Sequence, residues 1–147
     1  MIYIGSDHRG FQLKKELSDY LVKKGYQTAD LGTDSEEPVD YPLIAEKVAK
    51  KVKEDLNNRG IIICGSGAGV CIVSNKIDGI RAAQAWSPEV ATAARNDDNV
   101  NVLCLSADHT DADISKKIVQ KFLDTSFGGA ERFNRRIKEI GEIEKEN

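Results

Sequence analysis

The sequence lacks long apolar stretches and has few of the residues that cross-link a chain or hold a metal. No apolar run approaches the roughly 20 residues that cross a bilayer, so we expect a soluble protein without membrane contact. The 3 cysteines show no C-x-x-C pair, which predicts reduced thiols rather than disulfides or a zinc site. A formal net charge of −3 gives no general attraction to nucleic acid. We therefore expect no metal and no nucleic-acid partner.

The length and the first residues favour one cytoplasmic domain. The opening MIYIGSD has neither a basic leader nor a small-residue cleavage site, so no export is expected. A chain of 147 residues can bury roughly two-thirds of its unfolded surface, which suffices for a core. Because no repeat, low-complexity tract or linker interrupts it, we predict a single domain over residues 1–147.

Short apolar runs alternate with segments of helical periodicity. This alternation is typical of an α/β protein in which helices cover a parallel sheet. It predicts strands at Met1–Gly5, Thr28–Leu31, Ile61–Cys64, Ile80–Trp86 and Val102–Ser106. It predicts helices at about Phe11–Lys24, Leu43–Asn57, Ala112–Asp124, from the glycine loop to about Lys76, and from Pro88 onward.

Turn residues and apolar spacing refine these helices. Gly25 is a natural C-terminal cap for the first helix, and Ser87 before Pro88 predicts a capped helix start. The apolar positions place Leu56 on the buried face of the second helix and Ile114 on that of the fifth.

A last amphipathic helix, over about residues 130–147, follows the glycine pair Gly128–Gly129. Phe133, Ile137 and Ile140 lie on one side of it. The helix comes after the sheet is complete, so it either covers the edge of its own domain or reaches a partner subunit.

Two polar loops follow predicted strands, where ligands of open parallel sheets collect. The first, Gly5–Gly10, carries Asp7, His8 and Arg9. Asp7 has the position of either a helix cap or a catalytic acid.

The second loop, Cys64–Gly69, alternates glycine with small residues. It is either a tight strand-to-helix turn or a nest of backbone N–H groups for an anion. Val70 stands where the dinucleotide fingerprint requires glycine, and no Lys-Ser/Thr follows, so no nucleotide cofactor is expected. Cys64, beside a helix amino terminus, is either a reactive thiolate or a small buried apolar residue.

Together these motifs resemble the type B ribose-5-phosphate isomerases and their galactose-6-phosphate isomerase relatives. The resemblance spans nearly the whole chain and rests on GSDHRGFQLK from Gly5, DYP from Asp40, ICGSGAGV from Ile63, NK-x-x-GIRAA from Asn75 and the late GG with its arginines. It implies a Rossmann-like three-layer α/β/α domain with a C-terminal helix reaching a partner subunit. It also implies a homodimer or dimer of dimers that isomerises an aldose phosphate to a ketose phosphate through a cis-enediolate, without a cofactor.

The resemblance further implies catalytic roles for four residues. Cys64 is the base that moves a proton between C1 and C2, and Ser66 moves protons between O1 and O2. Asp7 helps to open the sugar ring, and Asp97 stands at the position of a ring-opening histidine.

Nine residues are expected to bind the substrate by the same resemblance. Backbone N–H groups of the glycine loop hold the enediolate, Tyr41 binds sugar hydroxyls, and a histidine and two arginines hold the phosphate. The full set is His8, Tyr41, Gly65, Gly67, Ala68, Gly69, Asn99, Arg132 and Arg136.

Several departures from the family pattern leave the sugar open. Asp97 replaces the histidine, Asp108 replaces an arginine, Phe133 replaces a second histidine, and Ala130 and Glu131 are extra. Ribose 5-phosphate is the expected substrate, with a hexose 6-phosphate of galactose or allose type as the alternative. A non-catalytic sugar-phosphate-binding domain is the third possibility.

Overall fold

Five parallel strands form one sheet in the order β2-β1-β3-β5-β4. They belong to a computed structural model that describes residues 1–147. The strands are β1 Ile2–Ser6, β2 Thr28–Asp30, β3 Arg59–Cys64, β4 Ala82–Gln84 and β5 Val102–Ser106. The predicted five-stranded parallel sheet is confirmed.

Six helices connect and follow the strands. They are α1 Phe11–Lys23, α2 Tyr41–Lys53, α3 Ala68–Ser74, α4 Pro88–Asp98, α5 Ala112–Asp124 and α6 Glu131–Glu146, and a short 3₁₀ turn spans His8–Gly10. Both predicted caps are confirmed, because Gly25 has φ +84° after α1 and Ser87 Oγ accepts a hydrogen bond from the Val90 N–H at 3.3 Å. None of the helices is both long and apolar enough to span a membrane.

Helices cover both faces of the sheet, as the three-layer prediction requires. Side chains of α1, α4 and α5 pack on one face with Ile61 and Ile63, and those of α2 and α3 pack on the other with Ile62 and Cys64. Successive side chains of a strand point to opposite faces, so the position of Cys64 in β3 directs its thiol toward α2 and α3.

Three local predictions are wrong. The fourth strand is Ala82–Gln84 and not Ile80–Trp86, because Ile80 closes a turn with Ile77 and Trp86 is mostly exposed. Leu56 is 95% exposed, since α2 ends at Lys53 and Leu56 lies in the turn that leads into β3. Ile114 is 40% exposed, because the buried face of α5 carries Ser115, Ile118, Val119 and Phe122 instead.

The last helix, α6, packs against its own domain through one buried side chain, Phe133. Near its end, Glu144 Oε1 accepts a hydrogen bond from the Gly79 N–H at 2.8 Å. Ile140 and Ile143 remain 44% and 61% exposed. An apolar strip on α6 is therefore left uncovered by the single chain, and the predicted reach to a partner stays a prediction.

Candidate active site

The carboxyl ends of three neighbouring strands meet where the strand order reverses. β1, β3 and β5 end at Ser6, Cys64 and Ser106, and Cys64 pairs with Ser106 in the sheet register. A cavity of about 310 Å³ opens there, as expected for a switch point of a parallel sheet. Its lining comprises Asp7, Arg9, Tyr41, Cys64, Gly65, Ser66, Gly69 and Asp108.

The loop after β3 folds back over its own cysteine. Cys64 Sγ accepts a hydrogen bond from the Gly67 N–H at 3.1 Å, and Ser66 Oγ accepts one from the Ala68 N–H at 3.2 Å. Gly67 has φ +79°, and a Cβ atom there would lie 2.7 Å from Gln84 Nε2. The tight turn is confirmed, whereas anion binding by its N–H groups stays a prediction. The turn places a buried thiol beside an exposed hydroxyl.

Neighbouring strands hold this loop in place. The Ala107 N–H donates to the Cys64 carbonyl at 2.9 Å, and Ser106 Oγ donates to the Gly65 carbonyl at 2.7 Å. Gln84 Nε2 donates to the Ser66 carbonyl at 2.5 Å. Sequence reasoning missed Gln84, because the predicted strand Ile80–Trp86 placed this residue before the end of the strand, whereas β4 ends at Gln84.

Tyr41 closes one side of the cavity. It is the first residue of α2, and its ring lies against Gly69, where a Cβ atom would come within 2.6 Å of the ring Cζ atom. Only a glycine at this position allows the phenol to approach the start of α3.

Asp7 caps the short turn after β1. Its Oδ1 accepts hydrogen bonds from the Arg9 N–H at 3.0 Å and the Gly10 N–H at 3.1 Å. The capping interpretation is confirmed. Asp7 also lines the cavity and is 5% exposed, and no protein hydrogen bond engages its Oδ2. One oxygen thus serves the fold while the other is available to a ligand.

His8 lies beside the cavity without lining it. Its Nδ1 is 3.2 Å from the Val39 N and 3.3 Å from the Val39 carbonyl oxygen. The imidazole thereby ties the first loop to the segment that leads into Tyr41.

Seven predicted site residues do not line this cavity in the single chain. His8, Gly67 and Ala68 belong to the two loops that border it, whereas the other four lie on α4 and α6 or directly after α4. Asp97 and Asn99 lie at the end of α4, which runs antiparallel to the strands and so carries them toward the opposite edge of the sheet. Asp97 accepts a hydrogen bond from Asn96 Nδ2 at 2.7 Å, and Asn99 accepts one from Arg95. Arg132 and Arg136 lie exposed on α6.

The other two thiols form a separate pair on the α2 and α3 side of the sheet. A hydrogen bond from Cys104 lowers the pKa of Cys71 to about 7, against the opposing effect of burial. The same hydrogen bond and complete burial raise the pKa of Cys104. Neither thiol lines the cavity, and no cluster of three or more potential metal ligands is present.

Known proteins resemble the chain over nearly its whole length. A family model described as ribose/galactose isomerase matches residues 2–140. The probable ribose-5-phosphate isomerase B of Mycoplasma genitalium is 44% identical over 150 residues, which cover 99% of this chain and 96% of that protein. The D-erythrulose-4-phosphate isomerase of Pectobacterium atrosepticum is 39% identical over 130 residues, covering 87% and 85%.

Structural similarity leads to the same family. The crystal structure of the Mycoplasma genitalium ribose-5-phosphate isomerase B with bound ribulose-5-phosphate superposes with a TM-score of 0.95 at 44% identity, covering 99% of this chain and 97% of that one. By sequence and by fold, the chain belongs to the ribose/galactose isomerase family.

Proposed function

We propose that the protein is a cytoplasmic aldose–ketose isomerase that interconverts ribose 5-phosphate and ribulose 5-phosphate. The observation that carries the proposal is the buried Cys64 thiol, held by the Gly67 N–H in a glycine loop at the switch point of the sheet. Relatives with this enzyme name, one of them holding ribulose-5-phosphate in its crystal structure, support the choice of sugar.

The arrangement suits proton transfer between adjacent carbons. The Cys64 thiolate takes the proton from C2 of the open-chain aldose, and the electron pair moves onto the carbonyl oxygen at C1 to form an enediolate. Ser66 passes a proton from O2 to O1, and the Cys64 thiol then protonates C1 to give the ketose. Cys64 begins and ends the cycle as a thiolate. The reaction therefore consumes no oxidant or reductant, and the proton transfers balance without a metal.

The glycine loop supplies the charge stabilisation that this intermediate needs. The Gly67 and Ala68 N–H groups already donate to Cys64 Sγ and Ser66 Oγ. The other backbone N–H groups of the loop, those of Gly65, Ser66 and Gly69, are fixed before the substrate arrives, so they stabilise the enediolate without reorganising. Asp7 and Tyr41 border the same space and bind sugar hydroxyls, with the free oxygen of Asp7 assisting ring opening.

A second copy of the chain completes the site in this proposal. Arg132 and Arg136 lie one helical turn apart on α6, so they present two cations on one face, suited to a phosphate group. The exposed Ile140 and Ile143 on the same helix offer apolar surface for a dimer contact. In the same dimer, Asp97 and Asn99 at the end of α4 contact the substrate in the cavity of the other chain.

The test is a panel of aldose phosphates incubated with the purified protein while ketose formation is followed. Ribose 5-phosphate is expected to give the highest kcat/KM. The panel includes a four-carbon phosphate, because a relative is named for erythrulose 4-phosphate, and hexose 6-phosphates for the alternative. Faster turnover of one of these would replace the proposed substrate. Binding of a sugar phosphate without turnover of any would support the third possibility, a non-catalytic sugar-phosphate-binding domain.

A further inference from the structure

The lining of the cavity is poor in positive charge. It contains two carboxylates, Asp7 and Asp108, and a single cation, Arg9. A sugar phosphate carries up to two negative charges, so within one chain Arg9 is the one lining side chain that attracts it. The sequence motifs assign Arg9 no role, although it stands within the first loop.

Arg9 is held in a defined place across the mouth of the cavity. Its NH2 group donates to Asp108 Oδ2, so a residue after β1 bridges to one after β5. The pair lies over Gly65, where a Cβ atom would be 2.9 Å from both Arg9 Nε and Asp108 Oδ2. The guanidinium therefore rests directly on the glycine that follows Cys64.

The rest of the guanidinium is free to bind a ligand. Arg9 Nε and NH1 donate no hydrogen bond to the protein, since the one side-chain hydrogen bond of Arg9 uses NH2. The Arg9 side chain is 59% exposed, whereas Cys64 is 4% exposed. A phosphate is costly to dehydrate, so a substrate whose reacting carbons lie at the buried thiol leaves its phosphate at the exposed mouth.

We infer that Arg9 is a phosphate-binding residue of this site, with Asp108 fixing the guanidinium over Gly65. The inference rests on the proposed function for the identity of the substrate, and it adds a phosphate contact from the same chain as Cys64. The planar fork of arginine matches the oxygens of a phosphate group, which a lysine does not reproduce.

A simpler role for Arg9 gives a different prediction. If the guanidinium only neutralised Asp108, its removal would weaken anion binding by exposing an unpaired carboxylate. The double variant Arg9→Gln/Asp108→Asn removes both charges and keeps the net charge of the pair. It therefore separates direct contact with phosphate from neutralisation of Asp108.

The experiment measures binding of inorganic phosphate by calorimetry and KM for ribose 5-phosphate, in the unsubstituted protein, Arg9→Gln and the double variant. Lys51→Gln is the matched control, because it removes the cation of an exposed ion pair with Glu54 at the far end of α2. Thermal melting verifies that each variant is folded.

We expect Arg9→Gln and the double variant both to bind phosphate about tenfold more weakly, with Lys51→Gln unchanged. KM for ribose 5-phosphate is expected to rise by a similar factor, with a smaller change in kcat. Return of the double variant to the original affinity, or an unchanged affinity in Arg9→Gln, overturns the inference. Phosphate binding needs no turnover, so a protein that fails to isomerise ribose 5-phosphate contradicts the proposed function and leaves this result standing.

Discussion

The carboxyl edge of the sheet and the two helices α4 and α6 both carry predicted site residues, but a single chain brings only the first set together. At the carboxyl edge, Asp7, Tyr41 and the glycine loop come together around Cys64. On α4 and α6, Asp97, Asn99 and the two arginines stay outside that cavity. The groups proposed to transfer protons are thus assembled by the monomer fold, whereas Asp97, Asn99 and the two arginines would need the second chain of the proposed dimer.

This difference follows from the direction of the elements. Loops after β1, β3 and β5 meet because parallel strands end at one edge of the sheet. A helix between parallel strands runs the opposite way, so the end of α4 returns to the other edge. Three variants, with Cys71→Ala as a control, test whether the two regions act as one site.

Loss of the thiol should produce the largest effect. Cys64→Ala removes the proposed base while leaving the glycine loop and the sugar-binding groups, so kcat should fall by about 10²-fold or more. Steady-state kinetics on ribose 5-phosphate measure the change. Cys71→Ala removes a thiol outside the cavity and serves as the control, with activity within about twofold of the original. Comparable activity in Cys64→Ala would remove this residue from the mechanism.

Mixing two impaired proteins tests whether α6 completes the site of its partner. Arg136→Ala alone should raise KM by about tenfold, since it removes one charged phosphate contact. When Arg136→Ala and Cys64→Ala subunits exchange at random, about half of the dimers are mixed and each holds one complete site. At substrate concentrations well below KM, activity should then rise from about a twentieth of the original in the unexchanged mixture to about a quarter. No recovery after exchange verified by native mass spectrometry would contradict a shared site.

Replacing Asp97 tests the ring-opening step. Histidine both accepts and donates protons near neutral pH, whereas an ionised carboxylate only accepts hydrogen bonds. Asp97→His should speed turnover of ribose 5-phosphate a few-fold, because this sugar must open its ring before it reacts. The reverse reaction should hardly change, because ribulose 5-phosphate cannot close a furanose ring through its phosphorylated O5. Both directions are measured at matched saturation. An equal effect in both, or none in either, would separate Asp97 from ring opening.

Changes at Cys71 and Cys104 should have the smallest effect on activity. For these two thiols the quantity to measure is the pH dependence of their alkylation. The pKa of Cys71 is lowered to about 7, so its alkylation by iodoacetamide should rise with pH through about 7 and level off above it. Cys104 should stay unmodified, because burial and the hydrogen bond to Cys71 raise its pKa. Peptide mass spectrometry after timed alkylation distinguishes the two. A midpoint near the ordinary thiol value of about 8.5 would contradict the pairing.

Local sequence signals predicted most of the fold. Alternating runs and turn residues located every strand and helix, since apolar spacing and capping depend on neighbouring residues. Errors occurred where tertiary packing overrode the pattern: Ile114 fits an apolar stripe, but the face of α5 that meets the sheet begins at Ser115. β4 is shorter than its apolar run, because its first residues form the turn that holds Ile80.

The sequence by itself determined the order of strands and helices, the glycine loop around Cys64 and the resemblance to an isomerase family, because these depend on residues close together in the chain. Only the tertiary structure decided which loops meet. It brought Arg9 against Asp108, 99 residues apart, and laid Tyr41 on Gly69, and it kept Asp97 away from the cavity of its own chain. Such contacts depend on strand order, on the parity of side chains along each strand and on the direction of each helix, which no local pattern specifies.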